Sequence, residues 1–149
     1  MKPVRIVQIF LGLILIVSGI AKVIDPDKAI SLMVSFNILP NVAIMIIMAV
    51  LPVAEIGTGC MLVCRLYEAW ADAGACVLFF GFFLVSVYGT LLGLNSDCGC
   101  FGSVMESRFG WGMVVRNGVF LGMSLYASVP VFMAIFLKRK SSADEYLAN

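Results

Sequence analysis

Long runs of apolar residues alternate with short polar breaks, and the spacing of the breaks predicts four membrane-spanning helices. Ile6 to Ile24 is almost entirely apolar after a short basic start, Met1 to Arg5. It has the length a helix needs to cross the hydrocarbon core, about 20 residues. A cleaved signal peptide is the competing reading, because Gly19-Ile20-Ala21 sets small residues where a peptidase cuts. The run is longer than a signal peptide's apolar region and further spans follow it, so residues 6–24 are read as the first span.

Asp25-Pro26-Asp27 is a helix-start signal, with Asp25 as the cap and Pro26 in the first turn. The segment that follows is short and irregularly amphipathic, ends at Asn37 and Pro40, and is expected to lie in the membrane interface. The second span, about 42–64, contains Pro52, expected to kink it, and Glu55. Arg65 to Asp72 reads as a brief charged connection, with Trp70 as an interface anchor. The third span covers about 73–94, Asn95 to Gly110 is a polar loop, and the fourth span covers about 111–137. Residues 141–149 form a polar C-terminal tail with no expected order. The pairs Gly89/Gly93 and Gly118/Gly122 predict a close approach of the third and fourth spans.

Composition agrees with this pattern. The chain of 149 residues is 62% hydrophobic and 13% charged, with a mean hydropathy of +1.06. Soluble domains are about half apolar and a quarter charged. The expected fold is therefore an all-α membrane protein: one domain over residues 1–140, a four-transmembrane-helix bundle with a short interfacial helix between its first two spans. A net charge of +1, with basic residues scattered or terminal, argues against nucleic-acid binding. The absence of histidine excludes Ser-His-Asp catalysis and histidine-ligated haem.

With four spans both termini share a side. That side carries Lys2, Arg5, Arg65, Lys138, Arg139 and Lys140, against Lys22, Lys28, Arg108 and Arg116 on the other. The excess predicts cytoplasmic termini, and for a bacterial inner membrane it turns the loop between the last two spans toward the periplasm. Disulfides form and persist there.

That loop holds Asp97-Cys98-Gly99-Cys100-Phe101-Gly102. Cys98 and Cys100 are expected to be a catalytic redox pair. A disulfide across one residue needs the bend that Gly99 permits, and a strained or exposed disulfide exchanges readily. A staple of this kind closes almost no loop, and a zinc site lacks the further ligands it needs, so no metal is expected. Lys22 and Arg116, near the outer ends of the first and fourth spans, are expected to face the thiols and favour thiolate, or else to reach up to lipid headgroups. Asp25 and Asp97 are supporting carboxylates of the same region.

Glu55 is the deepest ionisable residue and is expected to face the bundle interior, sharing a helix face with Pro52 and Gly59. It can relay a proton, bind a quinone carbonyl when protonated, or hydrogen-bond another helix. Cys60 and Cys64 point away from Glu55, and with Cys76 they are read as apolar filler.

The stretch Arg5 to Pro26, with Ser18-Gly19-Ile20-Ala21-Lys22 and Asp25-Pro26, then Pro52-Val53-Ala54-Glu55, the Asp97 to Gly102 turn and Arg116-Asn117, resembles the MauE branch of the DoxX-like membrane proteins. The resemblance implies a redox-associated four-helix protein, linked to maturation of disulfide-containing periplasmic enzymes and to electron exchange with quinone. Taken together, the expectation is a thiol-disulfide oxidoreductase. It would pass electrons between a periplasmic thioredoxin-like or client protein and quinone, with Lys22, Glu55 and Arg116 in a quinone pocket among the first, second and fourth spans. The alternatives are a small proton-coupled or soft-metal transporter using Glu55, which requires a water-filled cavity at that residue, and a non-catalytic assembly factor for a periplasmic enzyme.

Overall fold

A computed structural model describes residues 3–36, 40–92 and 111–147. Over these residues the chain forms five helices: α1 (Pro3–Ile24), α2 (Asp27–Ser35), α3 (Asn41–Cys64), α4 (Glu68–Leu91) and α5 (Trp111–Leu147). Helices α1, α3 and α4, and α5 over Trp111–Met133, are long and apolar enough to cross a membrane. The short α2 lies between the first two spans, as the sequence predicts.

Each span buries a stripe that recurs at alternating steps of three and four residues, the seam of a left-handed bundle. On α1 it runs Gln8, Leu11, Leu15, Ser18, Lys22; on α3 Pro52, Glu55, Gly59, Leu62; on α4 Asp72, Ala75, Phe79, Phe82, Ser86, Gly89. On α5 Met113, Asn117, Ser124 and Ala127 are buried. The seams carry the buried polar side chains, while Phe10, Leu13, Val17, Val53, Val77, Leu84 and Val119 stay exposed on the outside. That distribution suits a hydrocarbon solvent, because polar groups in lipid must be satisfied within the bundle.

Residue pairs fix the arrangement. Gly12 lies against Gly59, and Gly19 against Pro52 and Glu55, so α1 and α3 are antiparallel. Contacts of Asn117 with Ser86 and of Ser124 with Cys76 make α4 and α5 antiparallel. Gln8 meets Asp72 and Lys22 meets Phe82, so α1 and α4 are parallel. Ile24, α2, Leu91 and Trp111 therefore share one end of the bundle, and Pro3, Cys64 and Glu68 share the other.

Several expectations need correction. The charged connection is only residues 65–67, and α4 begins at Glu68, because Asp72 has a partner on α1 and does not need solvent. Arg65 and Tyr67 take left-handed backbone angles, φ 59° and 50°, which turn the chain sharply between α3 and α4. The side chain of Asp25 does not cap α2: Pro26 is the N-cap residue, no side-chain cap bond is made, and the Asp25 amide extends α1 by donating to the Ala21 carbonyl. The fourth helix continues to Leu147, through polar residues expected to lack order.

Of the two glycine pairs expected to bring the third and fourth spans together, Gly93 lies outside the described residues, and Gly118 and Gly122 make no close approach. A Cβ on Gly122 would meet nothing within 4 Å, and one on Gly118 would make only ordinary contact with Phe83. Phe79 of α4 meets Phe120 of α5, with ring centres 5.8 Å apart and the planes tilted by 54°. The tight contact is between α1 and α3, at Gly12, Gly19 and Gly59. Pro52 sits within an uninterrupted α3.

Candidate functional site

Glu55 belongs inside for a simple reason: an ionised carboxylate against lipid is expensive, and the bundle offers a cation. Its side chain has 0% exposure, and Lys22 is 3% exposed beside it. The Lys22 Nζ donates to Glu55 Oε1 at 2.7 Å and Oε2 at 2.9 Å, and to Ser18 Oγ at 2.7 Å. The first two donations hold both carboxylate oxygens on a single ammonium. In a medium of low dielectric such a pair stands only while both partners are present.

Local structure explains the meeting. Ser18 and Lys22 are one turn apart, so they share a face of α1. Gly19, between them, allows α3 to come close enough for a Cβ there to fall 2.9 Å from the Pro52 carbonyl and 3.2 Å from Glu55 Cβ. A side chain at position 19 would hold the two charges apart. Glycine is what lets the pair form.

The third and fourth walls are α4 and α5. The Lys22 ammonium lies 4.9 Å from the centre of the Phe82 ring, a cation–π contact that adds to the carboxylate's hold. The Phe82 carbonyl accepts from Ser86 Oγ at 2.7 Å and from Asn117 Nδ2 at 3.4 Å, and Asn117 also donates to Ser86 Oγ. Side chains of all four spans thus form one polar layer: Ser18 and Lys22, Glu55, Phe82 and Ser86, and Asn117.

Of the sequence-predicted site residues, Lys22 and Glu55 are brought together. The headgroup alternative for Lys22 is excluded by its burial. Arg116 precedes Asn117 on α5 and is half-buried, with Nε and Nη2 inside the protein. Asp25 is half-buried at the junction of α1 and α2. Cys98, Cys100 and Asp97 lie outside the described residues. Cys60 and Cys64 are exposed on α3, facing away from Glu55 as the helical spacing predicts. Cys76 is half-buried, with Ser124 Oγ 3.1 Å from its sulfur. Among the described residues no group of His, Cys, Asp and Glu is placed to hold a metal ion.

Ser86, Phe82 and Gln8 were not singled out by sequence reasoning. Serine and glutamine in apolar helices are the available signal, since each must find a partner inside the bundle. Nothing in the spacing alone tells Phe82 from the other phenylalanines of the third span.

An apolar cavity of about 390 Å³ lies between α2, α3 and α4, bordered by Leu32, Phe36, Leu51, Leu78 and Phe82 among others. Lys22, Glu55 and Arg116 are not on its wall, and its helices differ from those expected around a quinone. Glu55 has no exposed surface and is engaged by Lys22, so it does not face the water-filled cavity that a coupling carboxylate of a transporter requires.

Fold and site together define a multi-pass membrane protein: a four-helix bundle with a charged pair sealed inside it. The sequence family described as methylamine utilisation protein MauE matches residues 1–130. The methylamine utilization protein MauE of Paracoccus denitrificans is 28% identical over 143 residues, covering 95% of this chain and 77% of that protein. The protein of the same name from Paracoccus versutus is 32% identical over 120 residues, covering 80% of this chain and 64% of its own length. No solved structure matches the chain. The chain belongs to the MauE family.

Proposed function

We propose that this protein is a membrane thiol-disulfide oxidoreductase whose Cys98/Cys100 pair exchanges electrons with a soluble thioredoxin-like or client protein on the periplasmic side of a bacterial inner membrane. One observation carries most of the weight. Leu91 and Trp111, the described helix ends that flank the cysteine segment, share an end of the bundle with Lys22, Asp25 and Arg116, which supports a reaction at that end.

The exchange is balanced within the two proteins. A thiolate of the pair attacks the partner's disulfide, a mixed disulfide forms, and one partner sulfur leaves as thiolate. The second cysteine then attacks the mixed disulfide. The partner departs as a dithiol, and Cys98 and Cys100 are left oxidised, two electrons having moved. The same steps run in reverse, with the direction set by the two reduction potentials. Of the two cations we assign Arg116 to stabilising the thiolate, since it stands in the second turn of α5, directly after the cysteine segment. The pair of Lys22 and Glu55 then serves to fix α1 against α3 beneath the reacting segment.

Quinone remains our expected second redox partner, a carrier that accepts two electrons and two protons. The cavity between α2, α3 and α4 suits an isoprenoid chain and the face of a ring at Phe82, but its wall offers a quinone carbonyl no side-chain donor. Because the matched relatives are named for methylamine utilisation, we place the soluble partner among the proteins of that process.

Trapping tests the proposal. Cys98→Ala and Cys100→Ala variants are expressed, cells are quenched with acid and alkylated, and disulfide-linked species are identified by mass spectrometry. One variant is expected to accumulate a discrete mixed disulfide with a soluble protein. If neither does, and both variants support methylamine-dependent growth as well as the parent, the protein is an assembly factor and not an oxidoreductase.

A further inference from the structure

Glu55 is not the bundle's only buried carboxyl. Asp72, in the second turn of α4, is 2% exposed and lies at the opposite end, near the chain termini. Among the described residues its hydrogen-bond partner is Gln8 of α1, whose Nε2 is 3.1 Å from each carboxylate oxygen. The two buried acids differ in what balances them. Glu55 has an ammonium; Asp72 has an amide.

Among the described residues, the charged groups near Asp72 are engaged elsewhere. On α1, the Arg5 guanidinium donates to the Leu62 and Val63 carbonyls at the end of α3. Following α3, Arg65 Nε is bound to Glu68 at 2.7 Å. On α4 itself, Glu68 stands one turn before Asp72 and adds like charge. From α5, Pro130 and Val131 line the cavity beside Gln8. An ionised carboxylate buried with only an amide for company is costly, and a proton is the one counter-charge that fits without rearranging the helices.

A cavity reaches Gln8, the hydrogen-bond partner of this carboxyl. This cavity, of about 450 Å³, is lined by Val4, Arg5, Gln8, Arg65, Glu68 and the α5 residues just named, and it is large enough for several waters at about 30 Å³ each. Gln8 belongs both to the cavity wall and to the Asp72 hydrogen bond, so a turn of one side chain joins the two. Glu68, partly exposed, stands on the same wall one helical turn from Asp72.

We propose that Asp72, gated by Gln8 and served by the cavity at the termini end, is a proton-exchange site of this protein, separate from the Lys22 and Glu55 layer and independent of the cysteine chemistry.

Carbodiimide labelling tests this. Dicyclohexylcarbodiimide takes the proton of a neutral carboxylic acid onto nitrogen as the carboxyl oxygen adds to its central carbon, and the adduct rearranges to a stable N-acylurea with nothing released. The full-length protein in membranes is treated and the modified residue identified by mass spectrometry. Asp72 is expected to be labelled and Glu55 not, with the label lost in Asp72→Asn. In Lys22→Met, Glu55 is expected to gain the label, which shows that the reagent reaches the bundle interior. Gln8→Ala, which keeps the carboxyl and so does not depend on Asp72→Asn folding, is expected to be labelled faster at Asp72 than the parent. An unlabelled Asp72 in a preparation where Glu55 of Lys22→Met is labelled overturns the proposal, as does a Gln8→Ala protein labelled no faster.

Discussion

Gly12 and Gly59 face each other across α1 and α3 so closely that a Cβ on Gly12 would fall 2.9 Å from the Gly59 carbonyl oxygen, and one on Gly59 would fall 2.6 Å from that of Gly12. Both obstacles are backbone, which cannot swing aside. The contact therefore fixes the separation of the two helices that carry Lys22 and Glu55.

Gly59→Leu is expected to force α1 and α3 apart and to destabilise the protein by about 1–3 kcal/mol or more, the usual range for overpacking. Gly57→Ala is the control, since a Cβ there meets nothing within 4 Å. Thermal unfolding in detergent checks both: the first variant melts earlier, and the second melts at or above the parent's midpoint. Equal midpoints for Gly59→Leu and the parent would remove the close approach from the account.

Lys22→Met leaves the Glu55 carboxylate buried without its ammonium. Breaking a buried pair by removing one partner costs about 3–5 kcal/mol. The double variant Lys22→Met/Glu55→Leu removes both charges and is expected to recover most of that loss. Equilibrium unfolding in a mixed-detergent titration measures the three proteins. A double variant less stable than either single one contradicts the mutual burial of the pair.

Asn117 and Ser86 tie α5 to α4, and both also reach the Phe82 carbonyl. Interhelical hydrogen bonds within membranes average about 0.6 kcal/mol and reach about 1.7. Asn117→Leu and Ser86→Ala are each expected to cost about 1 kcal/mol, with the double variant well short of the sum because they share one network. The same unfolding titration reads it; strict additivity is the outcome that disagrees.

Cys64, exposed at the last residue of α3, reports sidedness. In a variant that retains Cys64 as its one cysteine, a charged maleimide is expected to label inside-out vesicles and to leave sealed right-side-out vesicles unmodified. The reverse pattern would place the termini outside and the Cys98/Cys100 segment in the cytoplasm.

Much of this architecture is readable in the chain because lipid is a demanding solvent. Spans near residues 6–24 and 42–64 follow from apolar run length, and the inward face of Glu55 follows from the cost of exposing it. The same reasoning fails at Asp72. A run of charges from Arg65 to Asp72 looks like a loop until Gln8, 64 residues away, is known to be its partner. Lys22 illustrates the limit for the site. Its position near the end of an apolar span makes it a candidate, but only the packing at Gly19 reveals that its ammonium turns toward Glu55. Gly118 and Gly122 show a third kind of failure, since spacing does not tell them, facing the Phe83 ring and open space, from Gly12 and Gly59, which face backbone.

The pairing of Lys22 with Glu55 also bears on how the protein is made. Their separation of 33 residues means that the ammonium leaves the ribosome well before its carboxylate does. Until then α1 carries an uncompensated charge near its end, which favours keeping that end at the membrane surface or beside the insertion machinery. When α3 arrives, the charge is neutralised and both helices can settle at full depth. The same contact that seals the finished bundle thus favours entry of its first two spans into lipid as a pair.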